Sequence, residues 1–176
     1  NAMAQMDPAR FDVAVVDSPP QLGFLNVNSL AWVNEVYIPL ICEFYALHGL
    51  SLLLETVERI KARLNPSLKV AGVIACQFNP RRGLTRDVLA DLEKNLPGRV
   101  LQSRIRINVR LAEAPSHGMT IFDYAPESNG AADYLRLAQE VIERSGIESS
   151  VPAAAAPEIP AEPVVESAPA GAPVLE

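Results

Sequence analysis

The chain has 176 residues, 49% of them hydrophobic, and a formal net charge of −6. No run is long and apolar enough to span a bilayer, and the two cysteines, Cys42 and Cys76, are too few for a disulfide framework and lack metal-ligand spacing. These features argue against a membrane-spanning protein, a disulfide scaffold and a zinc module, and we expect a cytoplasmic protein.

The two ends of the chain differ in composition from the middle. Asn1 and Ala2 ahead of Met3 are typical of a remnant of tag cleavage, so we set residues 1–10 apart as a lead. Residues 145–176 hold five Glu and six Pro but no Lys or Arg, which predicts a disordered acidic tail. We expect one folded domain over residues 11–144, with a net charge of −1 once the five tail glutamates are set aside.

The first predicted element is a strand over residues 13–16, directly ahead of Asp17. Its four apolar residues show no alternation, which predicts an interior strand of a parallel sheet, and Pro19 and Pro20 end it. Because ligands bind outside the carboxyl ends of parallel strands, Asp17 is a candidate site residue. An equally open alternative is a carboxylate that only solvates the strand end or caps the next helix.

Helices and strands alternate over the rest of the domain. Apolar periodicity predicts helices over residues 24–34, 50–64, 85–95 and 129–144, and apolar runs predict strands over residues 35–40, 68–76 and 100–107. We expect Thr85 to cap the third helix and residues 43–50 and 113–118 to form loops. This order is typical of βαβ units. We therefore predict an α/β fold of three layers, with a mostly parallel sheet between flanking helices.

Positive charge is concentrated in residues 81–110, where eight bases accompany three acids. Such an excess favours a local anionic partner such as phosphate or nucleic acid, although an ordinary solvated face is the plainer alternative. Arg81 and Arg82 at a predicted strand end, with Arg106 and Arg110, are candidates for a phosphate-binding face. Without interleaved aromatic residues, such a face would hold the nucleic-acid backbone and would not read bases.

Catalytic motifs are weak. The chain contains no G-x-x-x-x-G-K-[ST] or G-x-G-x-x-G loop, so half of an expected phosphate site is absent. His48 and His117 lie far apart, and no Ser or Cys has a nucleophile-elbow context. Glu43 follows a predicted strand end and is a candidate for the same crevice as Asp17, although a carboxylate at a helix start is the commoner explanation.

Three long motifs in one order carry a family resemblance. They are FDVAVVDSPP at residues 11–20, IPLICEFYALHGL at residues 38–50 and NVRLAEAPSHG at residues 108–118. Through them the chain closely resembles the C-terminal two-thirds of the ParA/Soj chromosome- and plasmid-partitioning ATPases, relatives of MinD in the deviant P-loop class. The resemblance implies an incomplete P-loop NTPase fold of Rossmann-like type.

The resemblance also implies roles on the nucleotide side of the site. Asp17 matches the Walker B aspartate, which holds magnesium through water. Asn79 matches a position near the adenine, and the loop with Glu113 and Pro115 closes over the same side. Glu43 matches a glutamate near the nucleotide-sandwich dimer interface.

The partners implied by the resemblance are macromolecular. Arg81 and Arg110, with the neighbouring Arg82, match basic positions used for sequence-independent DNA binding by ATP-bound dimers. ATP and magnesium are the cofactors of the parent family, and a centromere-binding ParB-type protein is its partner. A homo-oligomer, most simply a dimer, and a nucleoid-associated cytoplasmic location follow, with no membrane contact.

The chain departs from the family pattern in ways that matter. The family's N-terminal third, which carries the lysine-rich P-loop, has no counterpart in the sequence, so we expect this chain alone to bind no cofactor and not to hydrolyse ATP. His48 replaces an acidic or polar residue, and Arg106-Ile107 stands where many members have Pro-Arg. The family's P-loop strand lies between the strands matched by residues 13–16 and 35–40. We expect these two strands to pair directly or to oligomerise through their edges.

Two alternative functions stay open. One is a non-catalytic ParA-like scaffold that acts as a binding or regulatory module. The other is a MinD-like positioning protein, although proteins of that kind usually end in an amphipathic membrane helix and the tail here is acidic and proline-rich.

Overall fold

The structure, a computed structural model, describes residues 11–19 and 23–147. The predicted lead and the tail from residue 148 onward lie outside these ranges. Among the described residues no helix combines the length and the apolar character that crossing a bilayer requires. The strands are β1 (Glu35–Ile41), β2 (Lys69–Phe78) and β3 (Val100–Arg106). The helices are α1 (Phe24–Leu30), α2 (Phe44–Arg63), α3 (Gly83–Asn95), α4 (Val109–Glu113), α5 (Ile121–Tyr124) and α6 (Asn129–Ser145), with a 3-10 helix over Ala114–His117.

The three strands form one parallel sheet in the order β1-β2-β3. Helices cover both of its faces, so the predicted three-layer α/β fold is confirmed. On one face α2 and α3 contribute Leu50 and Leu92, which pack against Ile38 and Val73 of the sheet. On the other face Leu137 and Val141 of α6 pack against Ile74, Leu101 and Ile105.

Several predicted boundaries are wrong by one or two turns. Helix α2 begins at Phe44 and not at Leu50, because it continues through Gly49 despite the cost of about 1 kcal/mol that glycine carries in a helix. The burial of Leu50 outweighs that cost. Helix α3 begins at Gly83 with Arg82 at its N-cap position, so the prediction that Thr85 caps it is wrong; Thr85 is buried within the first turn.

Residues 13–16 do not form the predicted interior strand. Val13 is 49% exposed and Val15 is 92% exposed, and β1 pairs only with β2 within the described ranges. A strand is stabilised by ladder hydrogen bonds and covered faces, and this segment has neither among the described residues. Direct pairing of residues 13–16 with β1 is therefore wrong, whereas oligomerisation through the edges stays a prediction.

Carboxylates of α6 cover the outer edge of β3, where a further strand would otherwise pair. The carboxylate of Asp133 accepts a hydrogen bond from the backbone N–H of Arg106 at 3.0 Å. The carboxylate of Glu140 accepts from the backbone N–H groups of Gln102 at 2.9 Å and Ser103 at 2.7 Å. Unpaired edge donors are costly to bury and template aggregation, so these two side chains complete the sheet.

Asp133 also joins two arginines. Its side chain is fully buried, and it accepts from the guanidinium of Arg106 at 2.7 Å and from that of Arg136 at 2.6 Å. Burial by itself would raise the pKa of Asp133, but the hydrogen bonds from Arg106 and then Arg136 outweigh it and hold the pKa below its ordinary value. The carboxylate is therefore ionised in the folded protein and fixes α6 on β3.

Replacing Asp133 by Asn should destabilise the fold by about 2–4 kcal/mol, because two guanidiniums lose their shared counter-charge in a partly buried setting. Urea unfolding of the two proteins measures the difference. Asp87→Asn, which removes the same charge from an exposed position on α3, is the control and should change stability by less than about 0.5 kcal/mol. A D133N protein as stable as D87N would contradict the role given to this carboxylate.

The same variant should change how stability depends on pH. The lowered pKa of Asp133 means that its contribution is complete above the unfolded-state pKa of about 3.9 and is lost as pH falls through the folded-state value. The stability gap between wild type and D133N should therefore be constant above about pH 5 and shrink below about pH 4. Urea midpoints taken across that range test this, and a gap that does not change with pH would refute it.

Candidate functional site

The carboxyl ends of the three strands bring most of the predicted site residues to one edge of the sheet. Glu43 lies two residues beyond β1, and Asn79 follows β2 directly. The β2 and β3 ends are adjacent, because Phe78 pairs with Arg106 and the backbone N–H of Ile107 donates to the carbonyl of Phe78 at 3.3 Å. Parallel strands thus assemble the edge that the sequence predicts as the site.

The turn after β2 is held by Asn79. The side-chain oxygen of Asn79 accepts from the backbone N–H of Arg81 at 3.0 Å, and its carbonyl accepts from that of Arg82 at 3.1 Å. Just before the turn, Gln77 has a φ of 50°, a left-handed conformation that is uncommon for residues other than glycine. Such local strain is found at functional loops, and here it sets the direction in which the turn leaves the sheet.

Arg81 and Arg82 are exposed, and among the described residues neither takes part in an ion pair. Arg82 occupies the N-cap position of α3 through its backbone alone. Their guanidinium charges therefore face water without local compensation, as an electrostatic contact with a polyanion requires.

Arg110 and Glu113, which the resemblance assigns to different partners, bind one another. The Arg110 Nη1 and Glu113 Oε2 atoms are 2.8 Å apart, and the hydroxyl of Tyr124 donates to the same oxygen at 3.1 Å. The Arg110 hydrogen bond, followed by that of Tyr124, lowers the pKa of Glu113. The side chain of Asn108 caps α4 by accepting from the Arg110 N–H. The charge of Arg110 is thus offset in this structure.

The segment after this pair is ordered by packing and backbone geometry. Pro115 lies at the start of the 3-10 helix and is exposed, and Gly118 ends that helix with a φ of 64°. The ring of His117 stacks on that of Tyr124 with centroids 4.9 Å apart. The predicted loop over residues 113–118 is therefore largely a short helix.

Glu43 begins α2 without capping it. It occupies the N-cap position in an extended conformation, is exposed, and makes no side-chain capping hydrogen bond. The commoner explanation for this carboxylate, a negative charge at a helix start, fits this position and needs no capping hydrogen bond. Its role near a dimer interface stays a prediction.

Asp17 is exposed and belongs to a segment that forms no strand. The segment is tied to α1, because the amide nitrogen of Asn26 donates to the carbonyl of Pro19 at 2.8 Å. Across the described ranges no group of three or more His, Cys, Asp or Glu residues is placed to hold a metal ion. A single aspartate that holds magnesium through water would not form such a group, so the metal role of Asp17 stays a prediction.

Sequence reasoning misplaced Arg106 and missed its partner. The sequence groups Arg106 with the phosphate-binding bases, whereas the structure binds it to Asp133, 27 residues further along the chain. No sequence pattern marks that pair, because its spacing belongs to no helix or strand period. The Arg110 and Glu113 pair, at i and i+3 on one helix, was readable from the spacing alone.

Comparisons with known proteins give a consistent result. The family profile described as AAA domain matches residues 2–70. The chromosome-partitioning ATPase Soj of Treponema pallidum (strain Nichols) is 41% identical over 136 residues, which cover 77% of this chain and 54% of that protein. The sporulation initiation inhibitor protein Soj of Bacillus subtilis (strain 168) is 44% identical over 131 residues, which cover 74% of this chain and 52% of that protein.

Solved structures agree with the sequence matches. A crystal structure of cobyrinic acid a,c-diamide synthase from Mycobacterium smegmatis superposes with a TM-score of 0.67 at 28% identity, covering 86% of this chain and 54% of that one. A structure of the same enzyme with a bound ATP analog and magnesium gives a TM-score of 0.66. The chain spans about half the length of the curated relatives it matches. Over that span, the identity to Soj proteins supports a fragment of the ParA/Soj family, and the shared fold is that of a P-loop NTPase.

Proposed function

We propose that this chain is part of a ParA-type ATPase that acts in chromosome or plasmid segregation, and that its described domain supplies contacts to DNA. The identity to Soj proteins, which extends over 131–136 residues, is the observation that carries the proposal. The parent activity would combine ATP-dependent dimerisation, sequence-independent DNA binding and stimulation by a ParB-type partner.

The proposed contact with DNA is electrostatic and involves no recognition of bases. Arg81 and Arg82 extend from the turn after β2 with no described counter-charge, and Arg110 lies beyond the neighbouring strand end. Guanidiniums that neutralise phosphates release counterions, which gives affinity that falls with salt and ignores sequence. Glu113 reduces the contribution of Arg110 to DNA binding, because it pairs with that guanidinium at 2.8 Å.

The proposed roles in nucleotide binding rest on the family resemblance. A solved relative binds an ATP analog and magnesium, and Asp17, Asn79, Glu43, Glu113 and Pro115 would take the corresponding roles in the parent enzyme. This chain by itself carries no P-loop lysine motif, so the phosphates would lack their backbone cradle.

A non-catalytic scaffold is the second candidate, and one observation favours it. Asp17 is exposed outside any strand, while the turn after β2 and the Arg110 segment are both ordered. An ordered edge with exposed bases beside an exposed Asp17 fits a regulatory or DNA-binding module of the same family.

Duplex DNA binding should weaken when Arg81 and Arg82 are both changed to Gln, because two phosphate contacts are lost. The slope of log affinity against log salt should become shallower by about 1 per contact. Fluorescence anisotropy with a labelled duplex measures both quantities. Arg63→Gln at the far end of α2 removes one positive charge of the same kind at an exposed position and should leave binding unchanged.

Glu113→Gln and Arg110→Gln extend this test in opposite directions. The first releases Arg110 from its counter-charge and should strengthen DNA binding, whereas the second should weaken it. DNA binding that does not respond to any of these four changes would overturn the assignment of this edge to DNA.

Magnesium-ATP should not bind this chain at micromolar concentration, because no glycine-rich loop is present to hold its phosphates. Isothermal titration calorimetry of the full chain measures this, with and without magnesium. Micromolar binding that is lost in Asp17→Asn would instead show that a competent site forms without the P-loop.

A further inference from the structure

A second basic site lies in a cavity between the outer edge of β3 and α6, next to the strand ends that carry the proposed DNA edge. The cavity has a volume of about 350 Å³. It is lined by Phe78, Gln102, Ser103, Arg104, Arg106, Asp133 and Arg136, which we call the arginine pocket. That volume is several times the ~30 Å³ that one water occupies in the liquid, so the pocket has room for a small solvated anion.

Positive charge exceeds negative charge in the arginine pocket. Three guanidiniums line it, and Asp133 is the only carboxylate in its described lining. Asp133 serves both Arg106 and Arg136. Glu93, from α3, reaches Arg104 only at 3.5 Å. Three positive charges therefore meet two carboxylates, of which Asp133 lines the pocket and Glu93 does not.

Arg104 is held in place but incompletely satisfied. Its guanidinium lies over the buried ring of Phe78, 5.0 Å from the ring centroid. Its Nε atom is buried and has no hydrogen-bond partner in the described structure. A buried donor without an acceptor is unfavourable, and a guanidinium already fixed on an aromatic ring loses little further freedom when it binds a ligand. Because Nε is itself shielded from solvent, an anion would contact the part of the Arg104 side chain that accounts for its 33% exposure.

Arg136 adds donors to the same cavity. Its one hydrogen bond among the described residues goes from Nη2 to the Asp133 carboxylate, and its side chain is 35% exposed. The amide side chain of Gln102 lines the same wall. A tetrahedral oxyanion with several acceptor oxygens matches two guanidinium forks and an amide better than a single carboxylate does.

We propose that the arginine pocket binds one phosphate group, with Arg104 and Arg136 as its direct ligands and Arg106, fixed by Asp133, adding to the local potential. The phosphate is either a free phosphate or a phosphodiester of a polynucleotide backbone. The inference does not rest on the proposed DNA edge, since Arg81, Arg82 and Arg110 lie outside the pocket lining.

Titration of the full chain with inorganic phosphate at constant ionic strength, with chloride as the matched control, tests the proposal. The Nε–H signals of Arg104 and Arg136 in ¹H–¹⁵N NMR spectra should shift and saturate with phosphate and not with chloride. Arg104→Gln and Arg136→Gln should each weaken binding by about tenfold, whereas Arg63→Gln should not change it. Arg104→Lys keeps the positive charge but removes the planar guanidinium, and it should also weaken binding. This variant distinguishes bidentate hydrogen bonding from simple charge attraction.

A short duplex DNA added in place of phosphate identifies the source of the ligand. A shift of the Arg104 Nε–H signal that persists in the Arg81→Gln/Arg82→Gln variant assigns the pocket to a backbone phosphodiester. A duplex that leaves this signal unchanged, while inorganic phosphate moves it, assigns a free phosphate. If neither ligand shifts the signal in the wild-type chain, or if Arg104→Gln binds phosphate as wild type does, the proposal is wrong, and the proposed DNA edge is unaffected.

Discussion

The docking of α6 on the sheet depends on the buried carboxylate of Asp133. Through one buried carboxylate, α6 satisfies a backbone donor of β3, neutralises Arg106 and binds Arg136 within its own first turns. Two turns later, Glu140 binds the backbone of Gln102 and Ser103 in the same way. Leu137 makes apolar contacts between these two polar anchors, and Val141 does so directly beyond the second. Apolar burial holds α6 against the sheet but has no preferred direction. The hydrogen bonds of the two carboxylates also fix the position of the helix along β3.

Much of the fold was predictable because its signals are local. The strands β1, β2 and β3 are short apolar runs bounded by turn residues, and α6 has a clear amphipathic period. The order of those elements predicted the parallel sheet. The prediction for residues 13–16 failed for a physical reason: an apolar run marks a strand only where a neighbour supplies hydrogen bonds and cover, and sequence pattern does not state whether that neighbour exists.

The site was predictable to a lesser degree. The rule that ligands gather at the carboxyl ends of parallel strands, together with the family resemblance, brought Glu43, Asn79 and Arg110 to one edge, as the structure shows. Which charges remain available at that edge depends on pairing. Arg110 is compensated by a neighbour one turn away, whereas Arg106 is compensated by a residue on another element. The first pairing follows from helix geometry, and the second appears only once α6 has docked.

The exposed segment of residues 13–16 has a consequence for solubility. An apolar run whose second valine, Val15, is 92% exposed would serve as a template for intermolecular sheets, as would the open side of β1. Here the run is bracketed by Asp12 and Asp17 and followed by Pro19, and charges and prolines at such flanks act as gatekeepers against fibril growth. In this chain Asp17 would thereby discourage intermolecular sheet growth, a consequence that is independent of any role in binding a metal.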